Sequence, residues 1–287
     1  MIMTLKVALP DTSLADSTNL RKKTAKAGRI ARAIAVFRVE EVFVYTTGHL
    51  PPSKIRDADL LVRILRYLDT PQYLRRRIFP KSPSLQYAGT LPPLRTRSHP
   101  LQSAISDLST GSVRWGVQVR PNQIDLGFDK LIDFPEMVSE RDPTLFRVVS
   151  TSPKIELEII ERSDVPVYWG FEASRIGGLV NLLKQSEGTT RIGFSRNAPS
   201  FKNLEEDLSS TISNTKSVLA IFGGPERGIT ELCANESEDI KHHIDFWVNT
   251  IEGQGTETVR LEEALLISLG LLNNSIGEKI TKSGFNS

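Results

Sequence analysis

Glycine and small polar residues gather in two stretches near the C-terminal end, Ile221–Ile229 (IFGGPERGI) and Asn249–Leu265 (NTIEGQGTETVRLEEAL). Each follows a short apolar segment, Ser217–Phe222 and Ile244–Val248, and precedes a run with helical period. Each therefore reads as strand, glycine-bearing loop and helix start. Gly223, Gly224, Gly228, Gly253 and Gly255 would let backbone N–H and C=O groups approach a ligand where a Cβ would clash. No histidine or cysteine lies among them, so the chemistry expected is that of a backbone cradle for an organic cofactor. Two familiar glycine motifs do not fit. GGPERGIT has the outer spacing of a phosphate-binding P-loop, but Ile229 stands where a lysine must reach the phosphates. GQGTET has the first two glycines of a dinucleotide fingerprint and lacks the third. The structural alternative is a pair of helix-capping turns in an α/β domain.

Taken together the stretches resemble a known family. FGGPERGI is similar to the second motif, and NTIEGQGTETVRLEEALLISLG to the third, of the SPOUT-class RNA methyltransferases, in the archaeal and eukaryotic branch with an OB-like domain inserted in the catalytic domain. Lys26–Val39 (KAGRIARAIAVFRV) resembles the first motif, Asn-x-Gly-x-Ile-x-Arg followed by an apolar helix. Gly28, Ile30 and Arg32 fit it, and Lys26 replaces the usual asparagine. Leu60–Phe79 and Tyr87–Thr96 resemble segments peculiar to that branch. Glu252 stands where the branch has a proline, adding a negative charge beside the expected cofactor site, and Glu226 is displaced by one position from the acidic residue of the commoner subfamily, so no role passes to it.

The resemblance implies an α/β-knot fold, a parallel sheet with a C-terminal trefoil knot, carrying an inserted small β-barrel. It implies S-adenosylmethionine held by Phe222, Gly223, Gly224, Gly228, Thr250, Ile251, Gly253, Gly255, Thr256 and Thr258, in a site shared across a homodimer. Arg32 would orient the target nucleotide or stabilise charge as its proton leaves, with Arg29, Arg75, Arg76, Arg77 and Arg95 contacting RNA. The expected substrate is a structured RNA such as rRNA, methylated at uridine N3 or, as runner-up, at a ribose 2′-O.

Periodicity supplies the elements that must position these residues. Leu5–Leu9 and Val42–Tyr45 read as strands flanking a helix over Leu20–Phe37, a crossover unit that demands a parallel sheet. Leu60–Tyr67 is amphipathic, and a second helix starts at Pro71, carries Arg75–Arg77 and stops at Pro80. After an extended, proline-rich Tyr87–Pro100 the period changes from 3.6 to 2. Val113–Val119, Gln123–Phe128, Phe146–Val149 and Lys154–Ile160 read as short strands of a small barrel of the OB type. Its Trp115, Phe128 and Phe146, with Arg114, Arg120 and Arg147 nearby, form either a nucleic-acid stacking surface or, as such aromatics more often do, core. The α/β pattern then resumes, with Val165–Phe171 and Arg191–Phe194 strand-like and Arg175–Lys184 and Asn203–Ile212 helical. Tyr168, Trp169, Ser195 and Arg196 would lie at strand C-terminal ends, as lesser site candidates. The domains expected are residues 1–88 and 163–287 as a split α/β methyltransferase domain and 89–162 as the insert.

Composition narrows the alternatives. With 39% hydrophobic and 24% charged residues in 287, the chain has the makings of an ordinary core. One cysteine, Cys233, excludes an internal disulfide, gives no support to a zinc site, and fits a reducing, cytoplasmic setting. No apolar run is long enough for export or membrane spanning. Net charge is 36 − 34 = +2. The positive charge is clustered, however. Arg21, Lys22, Lys23, Lys26, Arg29, Arg32 and Arg38 occur without an acidic residue between them, and Arg63, Arg66, Arg75, Arg76, Arg77, Lys81, Arg95 and Arg97 occur against Asp69 alone. Such clusters neutralise phosphates, or else form solvated helix faces. The competing function is a non-catalytic RNA-binding or ribosome-assembly factor on a methyltransferase scaffold, which Lys26 and Glu252 favour; a dehydrogenase lacks its fingerprint.

Overall fold

The structure is a computed structural model that describes residues 3–234 and 239–276. Two compact units form, one from residues 3–66, 87–92 and 171–276 and the other from residues 67–86 and 93–170.

The first unit is built on a parallel sheet of six strands. They are β1 (Thr4–Pro10), β2 (Glu41–Tyr45), β8 (Glu172–Arg175), β9 (Thr189–Phe194), β10 (Ser217–Ile221) and β11 (Phe246–Val248), ordered β11-β9-β10-β1-β2-β8. Leu5, Val7, Ala8 and Leu9 of β1 and Val218, Ala220 and Ile221 of β10 are all fully buried. A strand sends alternate side chains to opposite faces, so an uninterrupted apolar run of this kind means a sheet covered on both sides. On one face Ala8, Tyr45, Leu219 and Ile221 pack with Leu179 and Leu183 of α4 (Leu179–Gln185) and Ile229 and Leu232 of α6 (Ile229–Leu232).

Helix α1 (Leu20–Val36) begins where the Asn19 side chain accepts a hydrogen bond from Lys22 N, and it buries Ala27, Ile30, Ala31 and Ile34 at helical spacing. Helix α7 (Leu261–Ile276) packs against α1 and against α5 (Phe201–Ile212). Strand β11 does not continue outward from β10 but returns to the far side of β9. Consequently the C-terminal ends of three adjacent strands, β11, β9 and β10, open into the loops at 249–260, 195–200 and 222–228. Open parallel sheets bind ligands at such a reversal of strand order.

The expectations for 165–185 need correction. Residues 165–171 are not a strand; Val165 and Trp169 instead pack with Leu145 and Ile160 in the second unit, and the strand β8 begins only at Glu172. Gly170 holds φ +85° with Asp69 Oδ1 where a Cβ would project, which ends any extended run there. Tyr168 and Trp169 thus precede a strand and do not lie at a C-terminal end. Arg175 belongs to β8, and the helix following it starts at Leu179.

The second unit is antiparallel: β3 (Val113–Arg120), β4 (Gln123–Asp125), β5 (Ile132–Asp133), β6 (Thr144–Ser150) and β7 (Glu156–Ile160), ordered β5-β4-β3-β6-β7. The two halves of β3 have different partners. Val113–Gly116 pair with β6, and the half from Val117 onward pairs with β4. The fold at Gly116 allows close packing, because a Cβ there would meet Leu126 Cδ2 at 2.4 Å. Strand β4 is shorter than the expected Gln123–Phe128 because Gly127 turns out of the sheet at φ +82°. Helix α2 (Asp57–Asp69), which belongs to the first unit up to Arg66, carries Leu61, Ile64, Leu65 and Leu68 on its buried face, and α3 (Gln72–Ile78), in the second, follows Pro71.

Gly127 supplies a direct check on this unit. A Cβ there would lie 2.4–2.7 Å from the Tyr73 ring, whose hydroxyl donates to Trp115 O at 2.8 Å and cannot easily yield. Gly127→Ala should lower the unfolding free energy by about 3 kcal/mol through overpacking and left-handed strain, read as a shift of the urea midpoint.

Candidate active site

A cavity of about 390 Å³ lies at the C-terminal ends of β9, β10 and β11. Seven of the ten residues expected to hold a cofactor line it: Phe222, Gly223, Gly224, Gly228, Thr250, Ile251 and Thr258. Gly253, Gly255 and Thr256 do not border it. The two glycine-bearing loops therefore do enclose one space, although discontinuous in sequence.

Close packing accounts for two of the glycines in the first loop. A Cβ on Gly223 would lie 3.0–3.1 Å from the backbone of Arg227, Gly228 and Ile229, and one on Gly224 would lie 2.7 Å from Thr12 Oγ1. Both are needed so that the loop can close on itself, with Gly224 N donating to Arg227 O at 2.9 Å. Gly228 alone of the three has nothing within 4 Å, so its missing Cβ leaves room at the cavity. Gly253, at φ +58°, serves a turn.

Two further walls complete the cavity, one outside the sequence motifs and one in the helical part of the third. One follows β9: Phe194, Ser195, Arg196 and Asn197, of which only Ser195 and Arg196 had been singled out. Phe194 stacks on Phe222 with ring centroids 4.8 Å apart. The other is α7, where Leu261, Ala264 and Ser268 recur at three- and four-residue spacing and so share a face. Thr250 Oγ1 lies 2.7 Å from Ser268 Oγ. The rim carries both signs of charge, Arg196 and Arg227 against Glu226, Glu231 and Glu257. Backbone loops, the stacked Phe194–Phe222 pair and a mixed-charge rim fit a cofactor that joins a flat heterocycle to a zwitterionic tail. Among the described residues no group of three or more His, Cys, Asp or Glu side chains is placed to hold a metal ion, and no helix is long and apolar enough to cross a membrane.

Neighbouring side chains brace the loops. Tyr45, fully buried, donates its hydroxyl to Phe222 O at 2.8 Å, and Arg227 Nη1 lies 2.6 Å from His49 Nδ1. Glu252 is turned away from the cavity and accepts from Ser200 Oγ at the start of α5, so its charge is not at the expected cofactor position. Lys26 is 1% exposed. Its ammonium lies 2.7–2.8 Å from both carboxylate oxygens of Asp16 and 3.4 Å from Glu262 Oε2. Glu262, in the first turn of α7, also takes two bonds from Arg29, at 3.2 and 2.9 Å. Burial by itself pushes the Glu262 carboxyl up, but its own backbone N–H, Lys26 and Arg29 together hold it below the usual carboxylate range.

Arg32 is exposed on α1 and does not border the cavity of its own chain. Of the arginines expected to meet RNA, Arg29 is engaged by Glu262 yet over half exposed. Arg75 donates to Thr70 O and Leu68 O and lies 4.7 Å over the Tyr67 ring, so it caps α2. Arg77 pairs with Asp125 at 2.8 Å, and Arg76 and Arg95 are exposed. In the second unit Phe146 is fully buried, and the Arg114 guanidinium, itself buried, covers the Phe128 ring at 4.2 Å. Trp115 lies beneath Arg162, and Arg147 pairs with Glu158. These aromatics are core or covered, not an open stacking surface.

Residues 4–272 match the family described as "Putative RNA methyltransferase". An uncharacterised protein of Halobacterium salinarum is 31% identical over 290 residues, covering 94% of this chain and 99% of that one. The proteins named 28S rRNA (uridine-N(3))-methyltransferase of Homo sapiens and Mus musculus are 28% and 29% identical, each over 94% of this chain and over 77% and 76% of their own.

The Glu262 cluster predicts an acid-sensitive component of stability. A carboxyl depressed by folding contributes fully above its unfolded pKa, about 4.3, and loses that contribution as pH falls through the lower folded value. Glu262→Gln should therefore be less stable than wild type at pH 7, with the difference shrinking below about pH 4.3 in urea unfolding series.

Proposed function

The chain belongs to this family of RNA methyltransferases, and on that footing we propose that it methylates uridine N3 of a ribosomal RNA with S-adenosylmethionine held in the cavity above β9, β10 and β11. The observation that carries the reading is that Phe222–Gly228 and Thr250–Thr258, separated along the chain, line the same space. The relatives named for uridine N3 methylation favour the base over the ribose hydroxyl.

S-adenosylmethionine, when bound, supplies an electrophilic methyl group on a sulfonium. The chain's part is positioning and charge. The loop amides and the Phe194, Phe222, Val248 and Leu261 side chains would hold the donor and exclude water. For N3 to accept that methyl group its proton would have to pass to solvent, leaving negative charge on the base until the methyl is bound. The resulting charge spreads onto the base carbonyl oxygens, where an arginine is well suited to stabilise it. Arg32 is the candidate, supplied by a second copy of the chain, because it stands on an exposed face away from its own cavity.

That face supports a homodimer. Arg29, Arg32 and Val36 of α1 are exposed at three- and four-residue spacing, and the adjoining α7 exposes Leu266 and Ile267, 49% and 41% accessible. Exposed aliphatic side chains beside charged ones are what a two-fold interface covers. The return of β11 past β10, followed by α7 reaching back to α1, supports the knotted topology. The division of β3 between two partners supports an OB-like insert within residues 89–162, between the methyltransferase segments 1–88 and 163–287. Arg76, Arg77 and Arg95 would contact RNA phosphates, with Arg75 reserved for capping. The buried single cysteine suits the reducing cytoplasm. Lys26 and Glu252 no longer favour a non-catalytic factor: one is paired with Asp16, the other faces Ser200.

Arg32→Ala should lower turnover by about 10²–10³-fold while leaving donor affinity within about twofold, measured by single-turnover methylation and calorimetry. Mixing it with Ala264→Trp, which fills the cavity, should recover activity through mixed dimers. Turnover retained in Arg32→Ala sinks its role, and no recovery sinks the shared site. Loss of 3-methyluridine from rRNA in cells lacking the gene, read by mass spectrometry, tests the target.

A further inference from the structure

We infer that Ser268 of α7 is a positioning residue that commits its proton to Thr250, leaving the Thr250 O–H to donate into the cavity and select a ligand with an unprotonated heterocyclic ring nitrogen, as adenine has. This rests on the cofactor reading above.

The geometry alone permits either hydroxyl to be the donor across the 2.7 Å contact. Burial decides. Ser268 is fully buried, and Thr250 is the only partner of its hydroxyl among the described residues. A hydroxyl has one proton and two lone pairs. If Thr250 donated, the Ser268 proton would be left without a partner in the packed wall, where Ser268 has no accessible surface. In the opposite arrangement Ser268 donates to Thr250 Oγ1, and Thr250, half-buried at the cavity wall, keeps its own proton for whatever occupies the space. The Thr250 hydroxyl is also prevented from swinging away, because its oxygen is held from behind.

The surroundings indicate what accepts that proton. Val248 and Ile251 flank Asn249 and Thr250, and Ser268 shares its helix face with Leu261 and Ala264, so aliphatic side chains stand on either side of the hydroxyl pair in a lining that also carries Asn249. One directed donor flanked by aliphatic side chains suits a flat heterocycle with a ring acceptor. A charged amino-acid tail is matched instead by Arg196, Glu226, Arg227, Glu231 and Glu257. The third sequence motif contains both residues, but nothing in it pairs Thr250 with Ser268, which stands 18 residues further on within an apolar helix.

The test is calorimetry with S-adenosylhomocysteine and its 1-deaza, 3-deaza and 7-deaza forms, each of which replaces one ring nitrogen by C–H. Wild type should bind one of the three about 3–10-fold more weakly than the parent, the worth of a single hydrogen bond. That penalty should vanish in Thr250→Val, shrink in Ser268→Ala and persist in Thr250→Ser, which keeps the hydroxyl. A merely structural role would weaken all four ligands alike in Ser268→Ala, and that result overturns the inference. So does a deaza penalty that survives unchanged in Thr250→Val, or wild type that binds all four equally. Failure of wild type to bind S-adenosylhomocysteine at all overturns the cofactor reading first, and this inference with it.

Discussion

The arrangement of the site depends on a buried cluster of charges. Lys26 on α1 and Glu262 at the start of α7 are buried together, and Asp16 in the turn after β1 reaches the same ammonium from a side still open to water. An ammonium removed from water is tolerated only if its partners are fixed, and removing one partner from such a group typically costs about 3–5 kcal/mol. The cluster therefore specifies where α7 begins relative to α1. Leu261, which lines the cavity, is the residue before Glu262, so the helix wall of the cavity is set by an ion cluster outside it. Arg29 joins the same carboxylate from the exposed side, linking the cluster to the face that carries Arg32.

Strand order does the rest. Because β11 pairs with β9 and not with β10, the three loops that follow these strands emerge side by side. Had β11 added to the opposite edge, beside β8, the Gly223 and Thr250 loops would have emerged from different places along the sheet. The enclosure is reinforced below by Tyr45, whose hydroxyl satisfies Phe222 O at the end of β10. The cavity here is thus a property of the sheet's connectivity first and of loop composition second.

The glycines illustrate how a correct location can be reached by an incomplete reason. Composition marks Gly223 and Gly224 as places of close approach, and they are, but what approaches is the loop's own backbone and Thr12. Glu252 shows the converse. A charge beside the expected site looks obstructive in sequence, while its side chain is bonded to Ser200 at the N-terminus of α5. Adjacency along a chain states proximity only to within a side chain's reach, and it is silent on direction.

Local physics sufficed for most elements. The 3.6-residue period of α1, the uninterrupted apolar strands β1 and β10, and the proline limits of α3 follow from short-range rules, and the resemblance to the methyltransferase motifs marked seven cavity residues. The segment 165–171 was misread because its apolar residues belong to a loop packed on the antiparallel unit, and alternation cannot tell which body a segment will join. Arg75 and Arg114 look like phosphate ligands by type, yet one caps a helix and the other lies over Phe128. Ser268 and the β9 wall, and the partnership of Lys26 with Glu262, arise between residues up to 236 positions apart. Sequence alone determined which segments become helix or strand and which loops are able to turn tightly, because those depend on neighbours within a few residues. Only the tertiary structure decided which of them face a common space and which charges are spoken for, because both depend on contacts that chain order does not encode.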